Sequence, residues 1–189
     1  MTGVPLRQVH RIIDAGLLEG AVRRHRNARL LKRNALIGLK LAHETADVLT
    51  VESRRAMVAN LIRRPHRAII RARAVVVDAR PAARAVKSGL HQLAKARRLV
   101  SRTPGVLGGT PVLKGTRIPV HDIADMLANG DDPAAIVRAY PQLEKEQVQL
   151  AAIYALAYPR RGRPRTKTVW RSRPPMASKT IAPDAVVRA

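Results

Sequence analysis

The stretch GVLGGTPVLKGTRIPVHDIADMLANGDDPAAIVRAYPQLEKEQVQLAAIYALAYP, residues 105–159, passes from strand-like to helix-like pattern within the length of one small module. Val112-Leu113 and Ile118 are aliphatic residues on either side of Gly115, the spacing of a short hairpin. Pro111 and Pro119 lack an amide donor, which predicts that both strands lie at a sheet edge. A first helix is expected over 121–128, halted by Asn129-Gly130. Asp132-Pro133 predicts the start of a second, with a capping side chain followed by proline in the first turn. A third helix is expected over 145–157, burying Val148, Ala151, Ala152 and Ala155 with Ile153 and Leu156 on its flank.

No catalytic constellation is read in this stretch or elsewhere. GGTPVLKGT holds glycines, a lysine and a threonine, but not in the Gly-Lys-Thr order of a phosphate-binding loop. His121, Asp122 and Asp125 have no second cluster at supporting spacing and read as surface helix residues. The absence of Cys excludes disulfides, thiolate metal sites and cysteine nucleophiles together. The expectation is a non-enzyme with no metal and no cofactor.

Charge divides the chain outward from this stretch. The formal net charge is +23, of which residues 1–101 carry +16, residues 102–158 carry −1 and residues 159–189 carry +8. Basic surfaces favour polyanions because bound phosphates release condensed counterions. With aromatics at 2% and no Phe, any core must be aliphatic and small. No apolar run approaches the ~20 residues of a membrane helix, and the N-terminus lacks the apolar core of a signal peptide. A cytoplasmic protein is expected.

In the first region, VPLRQVHRIIDAGLL reads as a short amphipathic helix with Leu6, Val9 and Ile13 in one stripe and Ile12 beside it. Pro5 suits its first position and Gly16 its C-terminal cap. The opposite face carries Arg7, Gln8, His10 and Arg11, residue types that reach phosphates and base edges. Two short runs around Arg26-Asn27-Ala28 predict a hairpin lined by Arg23, Arg24, Arg26 and Arg29. Helices follow over about 34–48 and 51–63, the latter capped by Thr50. A second small hairpin is expected from Ala68–Ile70 and Val75–Val77. A helix over about 82–99 comes next, with Val86, Leu90 and Leu93 on one face.

Two resemblances follow from these residues. The polar helix and arginine hairpin of residues 3–33 resemble the recognition helix and wing of MerR-like winged helix-turn-helix proteins. That motif needs a bracing first helix, and Thr2-Gly3-Val4 stands where the turn would be. The expectation is therefore a true start codon upstream of Met1. Residues 102–158 closely resemble the family catalogued as domain of unknown function 433. The motif residues are Gly108-Gly109-Thr110-Pro111, Gly115-Thr116-Arg117-Ile118-Pro119-Val120 and Tyr140-Pro141-Gln142-Leu143. Glu144 departs from that pattern, which has Thr or Ser as the last helix's cap.

The second resemblance implies a homeodomain-like three-helix fold and an antitoxin of a VapBC-like toxin–antitoxin pair, whose partner resembles a PIN-type ribonuclease. The expected fold is mainly α with small β-hairpins. It comprises a winged-helix-like region (1–65), a hairpin and connecting helix (66–101), the three-helix module preceded by its hairpin (102–158), and a basic extended tail (159–189). The third helix of the module offers only Lys145 against Glu144 and Glu146, so operator DNA is assigned to the first region. The module is assigned to protein contacts, with homodimerisation through its proline-edged hairpin. The tail begins YPRRGRPRTK, and Tyr158, Arg160, Arg161, Arg163, Arg165 and Trp170 are the expected toxin clasp. Arginines pair bidentately with the carboxylates of a metal-holding nuclease. Arg161-Gly162-Arg163-Pro164 is also the core of an AT-hook, so a stand-alone DNA-binding protein is the alternative.

Overall fold

Two small cores, the first without aromatics, share one long helix. The computed structural model describes residues 2–26, 28–65, 67–72 and 75–160. Among them are seven α-helices and three two-stranded antiparallel sheets, so the chain is mainly helical with small β elements.

Helix α1 (Leu6–Asp14) follows Pro5, which sits at the N-cap rather than the first helical position. Gly16, with φ 71°, ends it. The Gly16 N–H donates to the Ile13 carbonyl (3.0 Å) and the Leu17 N–H to that of Ile12 (3.2 Å). Ile12 and Leu17 are both buried, which completes a Schellman ending with its apolar contact. Leu6 leaves the expected stripe: it is 71% exposed and lines an open groove against the first hairpin.

That hairpin pairs β1 (Val22–His25) with β2 (Ala28–Leu31). α2 (Arg33–Glu44) and α3 (Val51–Arg63) follow. α2 stops short of the expected Val48: past Thr45 the amides of Ala46 and Val48 bond three residues back, to His43 (3.2 Å) and Thr45 (3.3 Å), while the Thr45 hydroxyl bonds the Leu41 carbonyl at 2.7 Å. Thr50 caps α3, accepting from the Ser53 N–H at 3.3 Å. α2 meets α3 at Gly38, where a Cβ would lie 2.9 Å from Val58 Cγ1. Leu18, Leu39, Met57, Val58 and Leu61 form the centre of a first core without aromatics. Each such large aliphatic contributes about 1.5–3 kcal/mol by leaving water.

A second hairpin joins β3 (Ile69–Ala72) to β4 (Val75–Asp78). α4 (Arg80–Leu99) starts slightly earlier than expected, because Asp78 Oδ1 accepts the Arg80 N–H at 2.9 Å. The same carboxylate takes the Arg80 guanidinium, and these hydrogen bonds hold it below the usual aspartate range. Ala82 of α4 lies in the first core and Ala96 in the second, about 21 Å apart at 1.5 Å per residue. Leu90 and Leu93 between them are half-buried.

In the second module the expected hairpin is rearranged. β6 (Val112–Leu113) pairs chiefly with β5 (Val100–Ser101), the segment leaving α4. On its other side Val112 only bridges to Pro119, with Leu113 N–H donating to Ile118 (2.9 Å) and Val120 N–H to Pro111 (3.0 Å). Val112 and Leu113 are thus central rather than edge residues, and both are buried. α5 (Val120–Ala128), α6 (Pro133–Ala139) and α7 (Lys145–Ala157) complete the module. Pro133 takes the first position of α6, but the Asp132 side chain makes no capping bond. At α7 the Glu144 N–H donates to Gln147 Oε1 at 2.8 Å, so the glutamate departure keeps a capping contact from the other side. The buried face of α7 is Val148, Leu150, Ala151 and Tyr154. Leu156, expected on the flank, is 85% exposed.

Candidate functional site

On α1, Arg7, His10 and Arg11 are exposed and spaced to share one face, while Gln8 is half-buried at its margin. The hairpin beside them is registered Val22↔Leu31, Arg23↔Leu30, Arg24↔Arg29 and His25↔Ala28. Pleating therefore separates the four arginines. Arg24 and Arg29 lie on the face of the half-buried Val22 and Leu31, Arg23 lies on the other face, and Arg26 sits in the turn at φ 51°. Positive φ at the first residue of a two-residue loop is what a hairpin turn of the primed type requires.

Two depressions lie here, one between α1 and the hairpin and one on the hairpin itself. One is lined by Leu6, Val9, Ile13 and Leu31 with His10 and Arg29. The other is lined by Arg24, Arg26, Ala28 and Arg29. Arg29 belongs to both, and its Nη1 meets Asp14 Oδ1 of α1 at 2.6 Å. That ion pair aligns the hairpin with the helix while neutralising one of the four arginines. Arg24 stands directly opposite Arg29 and, among the described residues, is the exposed cation of that face with no carboxylate in a salt bridge to it. Arg7, Gln8, Arg11 and Arg23 line neither depression.

At the far end of the chain's described part, Tyr158 leaves α7 under three restraints. His121 Nε2–H donates to its carbonyl at 2.8 Å, its amide donates to Tyr154 at 2.8 Å, and its ring lies 4.9 Å from that of Tyr154. His121 is thus buried, at 7% exposure, and is no surface residue. Nothing around it in sequence signals this, because its partners lie more than thirty residues away. Tyr158 remains partly exposed and Arg160 is exposed. Arg161, Arg163, Arg165 and Trp170 lie outside the described residues.

The motif residues of the second module serve its own fold. The Thr116 hydroxyl donates to the Leu113 carbonyl (2.8 Å) and accepts the Ile118 N–H (3.1 Å). Gly115 takes φ 80° in that turn. Gly109, at φ 78°, follows Leu107 and Gly108 in a left-handed run that only glycine adopts without strain. The Pro111 carbonyl accepts the Val120 N–H, Pro119 is the N-cap of α5, and Val120 is fully buried. The Tyr140 carbonyl accepts the Leu143 N–H at 2.9 Å, turning the chain through Pro141 towards α7. Only Arg117 of the motif's side chains presents an exposed charge.

Arg54 and Arg55 were missed as structural residues. Arg54 Nη1 donates to the Ala42 carbonyl (3.2 Å) and Arg55 Nη2 to that of Ala15 (2.9 Å), tying α3 to the ends of α2 and α1. Among the described residues no group of three or more His, Asp or Glu side chains is placed to hold a metal. No helix among them is long and apolar enough to cross a membrane.

The family model described as "Protein of unknown function (DUF433)" matches residues 100–155. A relative from Sinorhizobium fredii (strain NBRC 101917 / NGR234), described as "Uncharacterized protein y4eO", is 37% identical over 175 residues, covering 86% of this chain and 79% of the relative. No solved structure matches. On that identity and coverage, the chain belongs to the same family as y4eO and carries a DUF433 module over residues 100–155.

Proposed function

We propose that this chain is the antitoxin of a VapBC-like pair, which binds operator DNA through its basic first region and neutralises a PIN-like ribonuclease through its basic tail. The observation that carries the reading is the alignment of α1 and the first hairpin by the Asp14–Arg29 pair, with exposed Arg7, His10, Arg11, Arg23, Arg24 and Arg26 around it. A polar helix flanked by a cationic hairpin suits a duplex, with the helix in a groove and the hairpin over the phosphates. The DUF433 module spends its motif on its own fold and is neutral, which favours protein contacts, among them a homodimer. Symmetric dimers match palindromic operators. Any catalysis in such a pair belongs to the nuclease. Tyr158, the first residue assigned to the clasp, is held by His121 through its carbonyl.

The test is co-expression with the product of the adjacent gene, using the full chain and one cut after Tyr158. A complex that needs the intact chain supports the clasp. A complex that survives truncation moves the interface into the DUF433 module. No complex in either case favours the stand-alone DNA-binding protein, for which Arg161-Gly162-Arg163-Pro164 is the sequence argument. The wing assignment fails if Arg23, Arg24, Arg26 and Arg29 can all become alanine without loss of operator binding.

A further inference from the structure

The first hundred residues contain one structural unit twice. Both hairpins have four-residue strands and leave two residues between them. Both are closed by the same hydrogen bond: Lys32 N–H donates to the Ala21 carbonyl (3.0 Å), and Ala79 N–H to that of Ala68 (2.7 Å). Each member of the second bond lies 47 residues after its counterpart in the first. At the same offset, α2 begins at Arg33 and α4 at Arg80. So do the buried pairs Ala35 and Ala82, and Leu39 and Val86. Arg24 and Arg71 occupy matching strand positions. Each hairpin follows a helix whose last turn buries an aliphatic residue in the first core, Ile12 of α1 and Leu61 of α3.

The copies differ in how the helix before the hairpin is supported. α3 is braced by a preceding helix, α2, packed against it at Gly38, so α2, α3, β3 and β4 read as a complete helix–turn–helix with a hairpin behind it. We propose that this second unit also binds duplex DNA, gripping phosphates without reading bases. The inference rests on the DNA-binding reading of the first copy.

Arg63, Arg64, Arg67 and Arg71 succeed one another along the last turn of α3, the connection and β3. All four are exposed, and among the described residues none is in a salt bridge with a carboxylate. A helix followed by a hairpin suits duplex geometry better than a single strand or an acidic protein surface. Base reading is disfavoured because the first half of α3, the part that would enter a groove, is committed elsewhere. Arg54 and Arg55 there bond backbone carbonyls.

The test measures binding of the full chain by fluorescence anisotropy to three probes: duplex from immediately upstream of its gene, a scrambled duplex of equal length, and single-stranded RNA. The variants are Arg63→Ala/Arg64→Ala/Arg67→Ala/Arg71→Ala, the same four changed to Lys, and Arg23→Ala/Arg24→Ala/Arg26→Ala. Urea midpoints confirm that each is folded. The alanine quadruple is expected to weaken both duplexes by the same factor, and the lysine quadruple to restore them. Its slope of log K against log salt should be shallower by about 3.6, so that its deficit shrinks about 150-fold between 50 and 200 mM salt. An unchanged slope in the quadruple, with binding lost in the first-hairpin variant, overturns this inference alone. Loss confined to the upstream duplex overturns phosphate-only contact, and loss confined to RNA overturns the duplex assignment. If neither set of alanines alters duplex binding, the reading of the first copy falls with it.

Discussion

The basic half and the DUF433 half differ in where most of their polar side chains go, although Thr50, Arg54 and Arg55 are tied into the structure of the basic half as well. In the basic half the core is purely aliphatic, and most arginines stand outside it on helix faces and hairpins. In the DUF433 half polar side chains are built into the structure: Thr116 holds a turn from both sides, and His121 is buried against Tyr154 while bonding Tyr158. A motif is therefore a poor guide to a binding site in the second half, and lack of motif a poor guide to its absence in the first. Exposed cations need only be in the right place, whereas turn residues must have the right chemistry.

The contrast can be broken most forcefully at the cores. Leu61→Ala empties a site that is 1% exposed at the centre of the first core, and should cost about 2–5 kcal/mol in urea unfolding. If the helices share one cooperative transition, the DUF433 module unfolds with it; two separated transitions would mean that the halves are independent. Next in size is Thr116→Val, which keeps the shape and removes both hydroxyl bonds, for an expected loss of about 1–2 kcal/mol. An equal-sized effect from Arg71→Ala, an exposed residue of the basic half, would contradict the contrast.

A smaller loss is expected from Gly38→Ala. The new methyl meets Val58 Cγ1 at 2.9 Å, and Val58 is fully buried. Overpacking of about 1–3 kcal/mol then outweighs a helix-propensity gain of about 1 kcal/mol. A stabilised variant would show that the α2–α3 contact yields easily. The smallest effect concerns Lys95 and Glu146, which join α4 to α7 at 2.8 Å. The lysine's hydrogen bond holds the Glu146 carboxyl below its ordinary value near 4.5. A depressed carboxyl contributes stability above its unfolded value and loses it as pH falls through the folded one. Thermal melts of wild type and Lys95→Met should therefore differ slightly at neutral pH and converge on acidification.

Much of this fold is legible in the residues. α3 and α7 begin and end where the sequence predicts, the first basic-half hairpin forms from the two short runs around Arg26-Asn27-Ala28, and the second from short aliphatic runs. What escaped depends on distant partners. Strands of two residues carry no pattern, so the pairing of Val100–Ser101 with Val112–Leu113 is invisible until α4 brings them together. On α7, alanine spacing pointed to Ala152 and Ala155, whereas the larger Leu150 and Tyr154 take the interior. Tyr154 is admitted because its hydroxyl finds Arg102 Nη2 at 3.5 Å and its ring finds His121 and Tyr158. Of the candidate DNA-binding residues, the exposure of Arg7, His10 and Arg11 follows from the helical stripe, but the commitment of Arg29 to Asp14 does not. The duplicated unit was readable: Arg24-His25-Arg26 and Arg71-Ala72-Arg73, and Arg33-Asn34-Ala35 and Arg80-Pro81-Ala82, stand 47 residues apart.

Because α4 contributes Ala82 to one core and Ala96 to the other, it acts as a shaft that sets their rotational phase. One residue inserted between Val86 and Leu93 would turn the DUF433 module by about 100° against the basic half. Seven inserted residues would return it to within about 20° of its original bearing. Chain length along this helix is thus coded in angle as much as in distance, and relatives that differ there by whole pairs of turns can keep both faces aimed alike.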